Sequence, residues 1–274
     1  MIRFLAMFNT NNRRVEALGS IFKERTDELD ALFNGPTVVY IDWANVIHWQ
    51  DKVDWHFHLQ RIKQFLDAFD QVKKVRLYCG TLEGNQRSES QVREASEKDG
   101  YEVCTKSVKL MNWSIDVSSI PVDSPEILKS FLRKSLLQKI DIETVGFLNS
   151  KLKTFNQQGV LALEEKKCNF DVEMGRDMLS DFLEKKYETF VLWSGDSDFQ
   201  SPIKQLVSDG KSVVIFSMSG SVSPEIGETG VPIFGVKKIK EFICWPRELS
   251  ESIRSKISAH LDSQRDPREE APKL

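Results

Sequence analysis

Two short acidic turns are the places in this chain where side chains could do chemistry. Ser194-Gly195-Asp196-Ser197-Asp198-Phe199 closes the apolar run Phe190-Val191-Leu192-Trp193, and Asp42-Trp43-Ala44-Asn45 closes an earlier run, Val38-Val39-Tyr40-Ile41. In open parallel sheets ligands gather outside the carboxyl ends of the strands, where the strand order reverses. Two acidic strand ends therefore face one crevice if their strands are neighbours. Asp171, at the head of an amphipathic segment that leads into the later strand, is a third source of carboxylate. Acids gathered in this way repel one another unless a cation sits among them, and hard oxygen ligands suit Mg²⁺ or Mn²⁺. Such an ion polarises a phosphoryl oxygen and activates water for an in-line displacement. The candidate catalytic and metal-binding residues are accordingly Asp42, Asp171, Asp196 and Asp198.

Each of these acids also has a bland role. An Asp after a strand commonly caps the next helix; Asp171 ahead of Val172-Glu173-Met174 fits that role, and so do Asp196 and Asp198 ahead of a helix near Phe199. Capping does not explain why acids recur at the ends of strands expected to adjoin. Asn45, three residues after Asp42, is placed to hold a phosphate oxygen or to orient a metal-bound water, and Ser194 offers a hydroxyl to the same crevice. Trp43 is a candidate stacking surface for unpaired bases, against the commoner role of an aromatic in the core. Lys167, just ahead of Asp171, is a candidate phosphate contact, against a solvated surface lysine. Asp177 is set aside, because six residues place it about 240° around a helix from Asp171.

The elements that must position these residues follow from periodicity. Helical spacing covers 13–33, 55–69, 86–98, 172–186 and 199–208, and short apolar runs at 37–41, 75–79, 101–108, 189–193 and 212–217 read as strands. This alternation predicts an α/β fold with a five-stranded parallel sheet in the order 3-2-1-4-5, flanked by helices. A helical insertion interrupts it at about 111–159, with segments near 125–139 and 142–155. Residues 219–235 read as loop with a short helix, and 237–243 as a last helix or strand. The predicted organisation is a helical extension over 1–36, a main domain over 37–245, and a C-terminal helix with a flexible tail over 246–274.

With 40% hydrophobic and 29% charged residues the composition is that of a soluble globular protein, and no apolar run approaches membrane length. With no cleavable leader apparent after the short apolar start, a cytoplasmic location is expected. Four cysteines without a Cys-x-x-Cys pair argue against a zinc ribbon or a disulfide framework. His48, His56 and His58 lack thiolate or HExxH spacing, so a structural role is expected of them. The net charge of -3 does not mark a nucleic-acid binder, yet 106–167 holds ten Lys/Arg against seven Asp/Glu, a local surplus suited to tracking phosphates. The absence of GxxxxGK[ST] and GxSxG motifs argues against P-loop hydrolysis and serine-hydrolase chemistry.

Taken together, Ile41-Asp42-x-x-Asn45, Lys167-x-x-x-Asp171-Val172 and Ser194-Gly195-Asp196-Ser197-Asp198-Phe199, followed by Gly210-Lys211-x-Val213, resemble the NYN domain. That domain is the LabA-like branch of the PIN-like nuclease superfamily, and the similarity runs over 37–217 with the insertion interrupting it. Trp43 stands where the family commonly has glycine. The resemblance implies a Rossmann-like PIN fold and a metal-dependent endoribonuclease using Mg²⁺ or Mn²⁺, with Asp42, Asp171, Asp196 and Asp198 at the acidic positions. It implies RNA, single-stranded or structured, as partner, with no membrane and with a homodimer as the candidate assembly. The competing reading keeps the fold and removes catalysis, leaving an RNA-binding or partner-recruiting module. A phosphatase of the haloacid dehalogenase type ranks last, because it needs a second acid where this chain has Ala44.

Overall fold

The computed structural model describes residues 8–82, 85–114, 127–130, 132, 134–157 and 162–263. The chain opens with α1 (Arg13–Ile21) and α2 (Lys23–Leu32). The apolar stripe predicts one helix here; it breaks at Phe22 (φ -118°, ψ 42°), whose ring packs on Phe242 and beneath the Arg25 guanidinium. β1 (Thr37–Asp42) is buried at every residue, as expected of a parallel strand covered on both faces. α3 (Trp43–Trp49) starts at once. α4 (Leu59–Leu66) is shorter than the spacing predicts, because 55–58 stays outside it and Phe57 bridges to Cys244. β2 (Val72–Thr81), α5 (Gln86–Glu97) and β3 (Glu102–Ser107) follow. Gly100, at φ +72°, makes the left-handed stop after α5 that Asp99-Gly100 predicts.

Residues 108–167 form a compact unit of their own. Its ends, β4 (Lys109–Ser114) and β5 (Ala162–Lys167), pair antiparallel, with α6 (Lys134–Leu137) and α7 (Ile142–Gln157) between them. β4 runs into the start of the insertion expected to be helical over 111–159, and β5 lies just beyond it, where no element is expected. Ala-Leu-Glu-Glu-Lys-Lys is a run of helix formers, and it is extended here because it pairs with 109–114. The start of the helix expected near 125, the N-terminal 1–7 and the expected flexible tail from 264 lie outside the described residues.

The α/β alternation resumes with α8 (Asp171–Leu183), β6 (Thr189–Trp193), α9 (Gln200–Ser208) and β7 (Ser212–Ser217). α10 (Pro224–Gly227), β8 (Ile233–Gly235), α11 (Lys240–Ile243) and α12 (Glu251–Ser263) complete the chain. The main sheet has six parallel strands in the order β3-β2-β1-β6-β7-β8. The expected count of five is thus corrected to six. Ile233–Gly235 is too short to show a period and becomes a strand by pairing with the edge of β7.

Alternate side chains of the central strands enter two cores. Val39, Ile41, Trp193 and Phe216 pack on one face with residues of α1, α4 and α11, and Val38, Tyr40, Phe190 and Leu192 pack on the other with Met174, Met178 and Ile203 of α8 and α9. The strand order reverses between β1 and β6, where Ile41 is in register with Trp193. Asp42 and Ser194 therefore leave the sheet side by side.

Candidate metal centre

Asp42 ends β1 and caps α3. Its Oδ1 accepts from the Asn45 backbone N–H and its Oδ2 from Asn45 Nδ2, each at 3.2 Å. The same Nδ2 donates to Ser194 Oγ at 3.2 Å, and Ser194 Oγ accepts from the Asp196 backbone N–H at 3.3 Å. A hydrogen-bonded relay thus ties the end of β1 to the acidic turn after β6. This corrects two expected substrate contacts and narrows a third. Ser194 is fully buried and positions the turn instead of meeting a ligand. Trp43 is buried in the core, where α3 begins against the sheet, and offers no stacking face. Both amide hydrogens of Asn45 are committed, so what it offers a ligand is the Oδ1 acceptor, suited to a water or a cation and unsuited to a phosphate oxygen. The backbone of Lys167 pairs with Lys109, and its side chain lies outside the described residues.

The turn after β6 is held by close backbone packing. A Cβ on Gly195 would stand 1.9 Å from the carbonyl oxygen of Ser221, so only glycine lets the loop after β7 pass there. That loop donates the Ser223 N–H to the Gly195 carbonyl at 2.9 Å. Asp196 Oδ1 accepts from the Asp198 N–H at 3.2 Å and starts a single 3₁₀ turn over Ser197–Phe199, anchored by the buried Phe199.

Asp171 is the first residue of α8, and its own backbone N–H is taken by Asn169 Oδ1 at 2.8 Å. Phe170 stands at the N-cap position with no side-chain capping bond, so Asp171 is not the cap that its place ahead of Val172-Glu173-Met174 suggests. One carboxylate oxygen from each of Asp171, Asp196 and Asp198 lies within 4.8 Å of the other two. Asp42 is outside this set, yet near enough to Asp196 for their charges to oppose. Burial raises the Asp42 carboxyl above its ordinary range, against the pull of its Asn45 hydrogen bonds. Burial pushes Asp171 up to about 6; Asn169 pulls it down, while a hydrogen bond shared with Asp198 and the charges of Asp196 and Asp198 push it further up. Among the described residues none of these four acids is in a salt bridge.

The donor set fits a hard divalent cation. Opposite ligands of an octahedral Mg²⁺ stand about 4 Å apart, so carboxylates spread over 4.8 Å close on such an ion with small side-chain shifts. No histidine or cysteine joins a comparable cluster among the described residues. His56 instead binds Glu248, and the four cysteines are free.

A parallel α/β sheet with a cluster of unpaired carboxylates beside the reversal of strand order defines an α/β protein with an acidic candidate metal centre. Residues 36–228 match the NYN domain model, and the chain belongs to the NYN domain family, within the PIN-like nuclease superfamily. No curated protein matches the chain. A crystal structure of a protein of unknown function from Vibrio parahaemolyticus is similar at 13% identity, over 78% of this chain and 98% of that one, with a TM-score of 0.46. No described helix is long and apolar enough to cross a membrane.

Proposed function

We propose that this NYN chain is a metal-dependent endoribonuclease of PIN-like fold, with Asp171, Asp196 and Asp198 holding Mg²⁺ or Mn²⁺. The observation that supports this most is the acid triad itself, drawn within 4.8 Å at a strand-end crevice and free of salt bridges among the described residues. A bound ion would supply Lewis acidity toward a phosphodiester oxygen and acidify a water. Asp42, outside the triad but beside Asp196, is assigned the water side of the site. Its carboxylate, steadied by Asn45, is the group to accept the proton of the attacking water. Asn45 Oδ1 orients that water, and Ser194 holds Asn45 and the Asp196 turn in register.

The test is cleavage of single-stranded and structured RNA with Mn²⁺ or Mg²⁺ added after EDTA treatment. Cleavage is expected to require the metal and to be abolished by Asp196→Asn, with the far-ultraviolet circular dichroism unchanged. Undiminished cutting by a folded D196N protein removes the proposal. RNA retained in EDTA, with no products under any metal, would leave a binding module of the same fold.

A further inference from the structure

A second charged site draws its residues from both ends of the sequence. Four arginines, Arg14 of α1, Arg61 of α4, Arg247, and Arg254 of α12, line one open pocket of about 520 Å³, over an apolar floor that includes Leu249 and Ile257. No Asp or Glu is among its lining residues. Three of the guanidinium groups donate to neutral acceptors, and that of Arg247 lies over the Trp245 ring. Arg14 donates to the Phe242 carbonyl at 3.0 Å and to Gln64 Oε1 at 3.1 Å, Arg61 donates to the Cys244 carbonyl, and Arg254 donates to the Arg247 carbonyl at 2.8 Å. Arg254 also pairs with the exposed Glu251 at 3.8 Å.

Arg61 is only 7% exposed, and neither it nor Arg14 has an acidic partner among the described residues. Burial, with Arg61 close by, pulls the Arg14 guanidinium down to about 10. Capping of the α11 carbonyls accounts for one nitrogen of each group. It does not account for their charge, since a neutral donor caps a carbonyl without placing two cations together in a recess.

We infer that this pocket binds a phosphate monoester dianion. Guanidinium forks match the oxygens of a phosphate, and a dianion offsets several of them at once where a carboxylate offsets one. An interior phosphodiester of a strand carries one charge and is flanked by two riboses, so it does not reach the recessed Arg61. A terminal phosphate does, on a free nucleotide or on the end of an RNA. Arg14, Arg247 and Arg254 lie outside the family match at 36–228, so the pocket is built largely by this chain's own extensions. The inference is independent of the acid triad.

The test is calorimetric titration of the full chain in EDTA with inorganic phosphate, 5′-AMP, and one RNA oligonucleotide carrying either a 5′-phosphate or a 5′-hydroxyl. Saturable phosphate binding is expected, weakened about tenfold by Arg254→Gln on the surface and by the buried Arg61→Gln, the loss of one charge-assisted contact. Asp196→Asn should bind phosphate as the wild type does, which separates this site from the nuclease reading. Preference for the 5′-phosphorylated oligonucleotide over AMP assigns a strand end as the source, and the reverse assigns a free nucleotide; both support the site. Absent phosphate binding, phosphate binding unchanged in R254Q, or equal affinity for the two oligonucleotides without phosphate binding overturns it.

Discussion

Acids near the two ends of α8 meet opposite treatment. Asp181, fully buried, receives Arg76 through two nitrogens at 2.9 and 3.0 Å, Lys74 at 3.4 Å and the Tyr40 hydroxyl at 2.8 Å. Asp177, one turn earlier, takes the Tyr78 hydroxyl at 2.8 Å and the Arg176 guanidinium. Ten residues back from Asp181, about 15 Å along the helix, Asp171 faces two further aspartates and makes no salt bridge among the described residues. The Arg76 pairing holds Asp181 below the ordinary carboxylate range against the pull of burial, while Asp171 stands raised to about 6. The lesson is that this fold can neutralise buried acids where they serve structure. The half-buried Asp171 and Asp196 and the exposed Asp198 have no such partner among the described residues, and the proposed cation site rests on that arrangement.

The comparison can be broken most readily by truncation. Asp181→Ala leaves Arg76 and Lys74 facing a buried gap and is expected to cost about 3–5 kcal/mol in urea unfolding. Asp171→Ala in EDTA should cost nothing or stabilise slightly, because it removes mutual repulsion. Equal losses from the two substitutions would erase the distinction between the two ends of α8.

Metal sharpens the contrast. Mn²⁺ at a hundred times its dissociation constant should stabilise the fold by about 2.7 kcal/mol, read as a rise in melting temperature. Asp196→Asn should lose that rise, and a conservative change in the paired network, Lys74→Arg, should keep it.

The smallest effect is on pH dependence, and the two regions should respond with opposite sign. Asp171 holds its proton to about pH 6 in the folded chain, against the ordinary 3.8. Between those values the folded state binds more protons than the unfolded state, so its contribution to stability falls as pH rises, then levels off. Asp181, lowered, contributes stability that is present above about 3.8 and is lost on acidification through its folded value. In EDTA the wild type should therefore lose melting temperature between pH 4 and 6 relative to Asp171→Asn. Parallel profiles for the two proteins would count against a raised Asp171.

Much of the sheet was legible in the sequence. The runs Thr37-Val38-Val39-Tyr40-Ile41 and Phe190-Val191-Leu192-Trp193 are apolar on both alternations, as strands buried on both faces must be, and they stand at the centre of the sheet. The edges and the 108–167 unit were less legible. β8 and β5 have no strand pattern of their own and depend on partners 15 or more residues away in sequence, or about 50 for β5 with β4. Of the four acids expected to converge, Asp171, Asp196 and Asp198 stand close together and Asp42 stands outside their cluster, while the burial of Trp43 and the hydrogen bonds of Ser194 and Asn45 did not follow from spacing. Spacing says where along an element a side chain stands, and not which of its hydrogens a neighbour has already taken.

By itself the sequence determined the central strands and the helices that flank them, because burial on one or two faces imprints a period on the residues. It also determined that acids sit at the ends of those elements. Which of them are neutralised was decided only by the tertiary structure. Arg76 and Lys74 reach Asp181 from a strand about a hundred residues earlier, and no such cation reaches the crevice between β1 and β6 among the described residues. Charge compensation acts through space over a few ångströms, and the chain order carries no record of that distance.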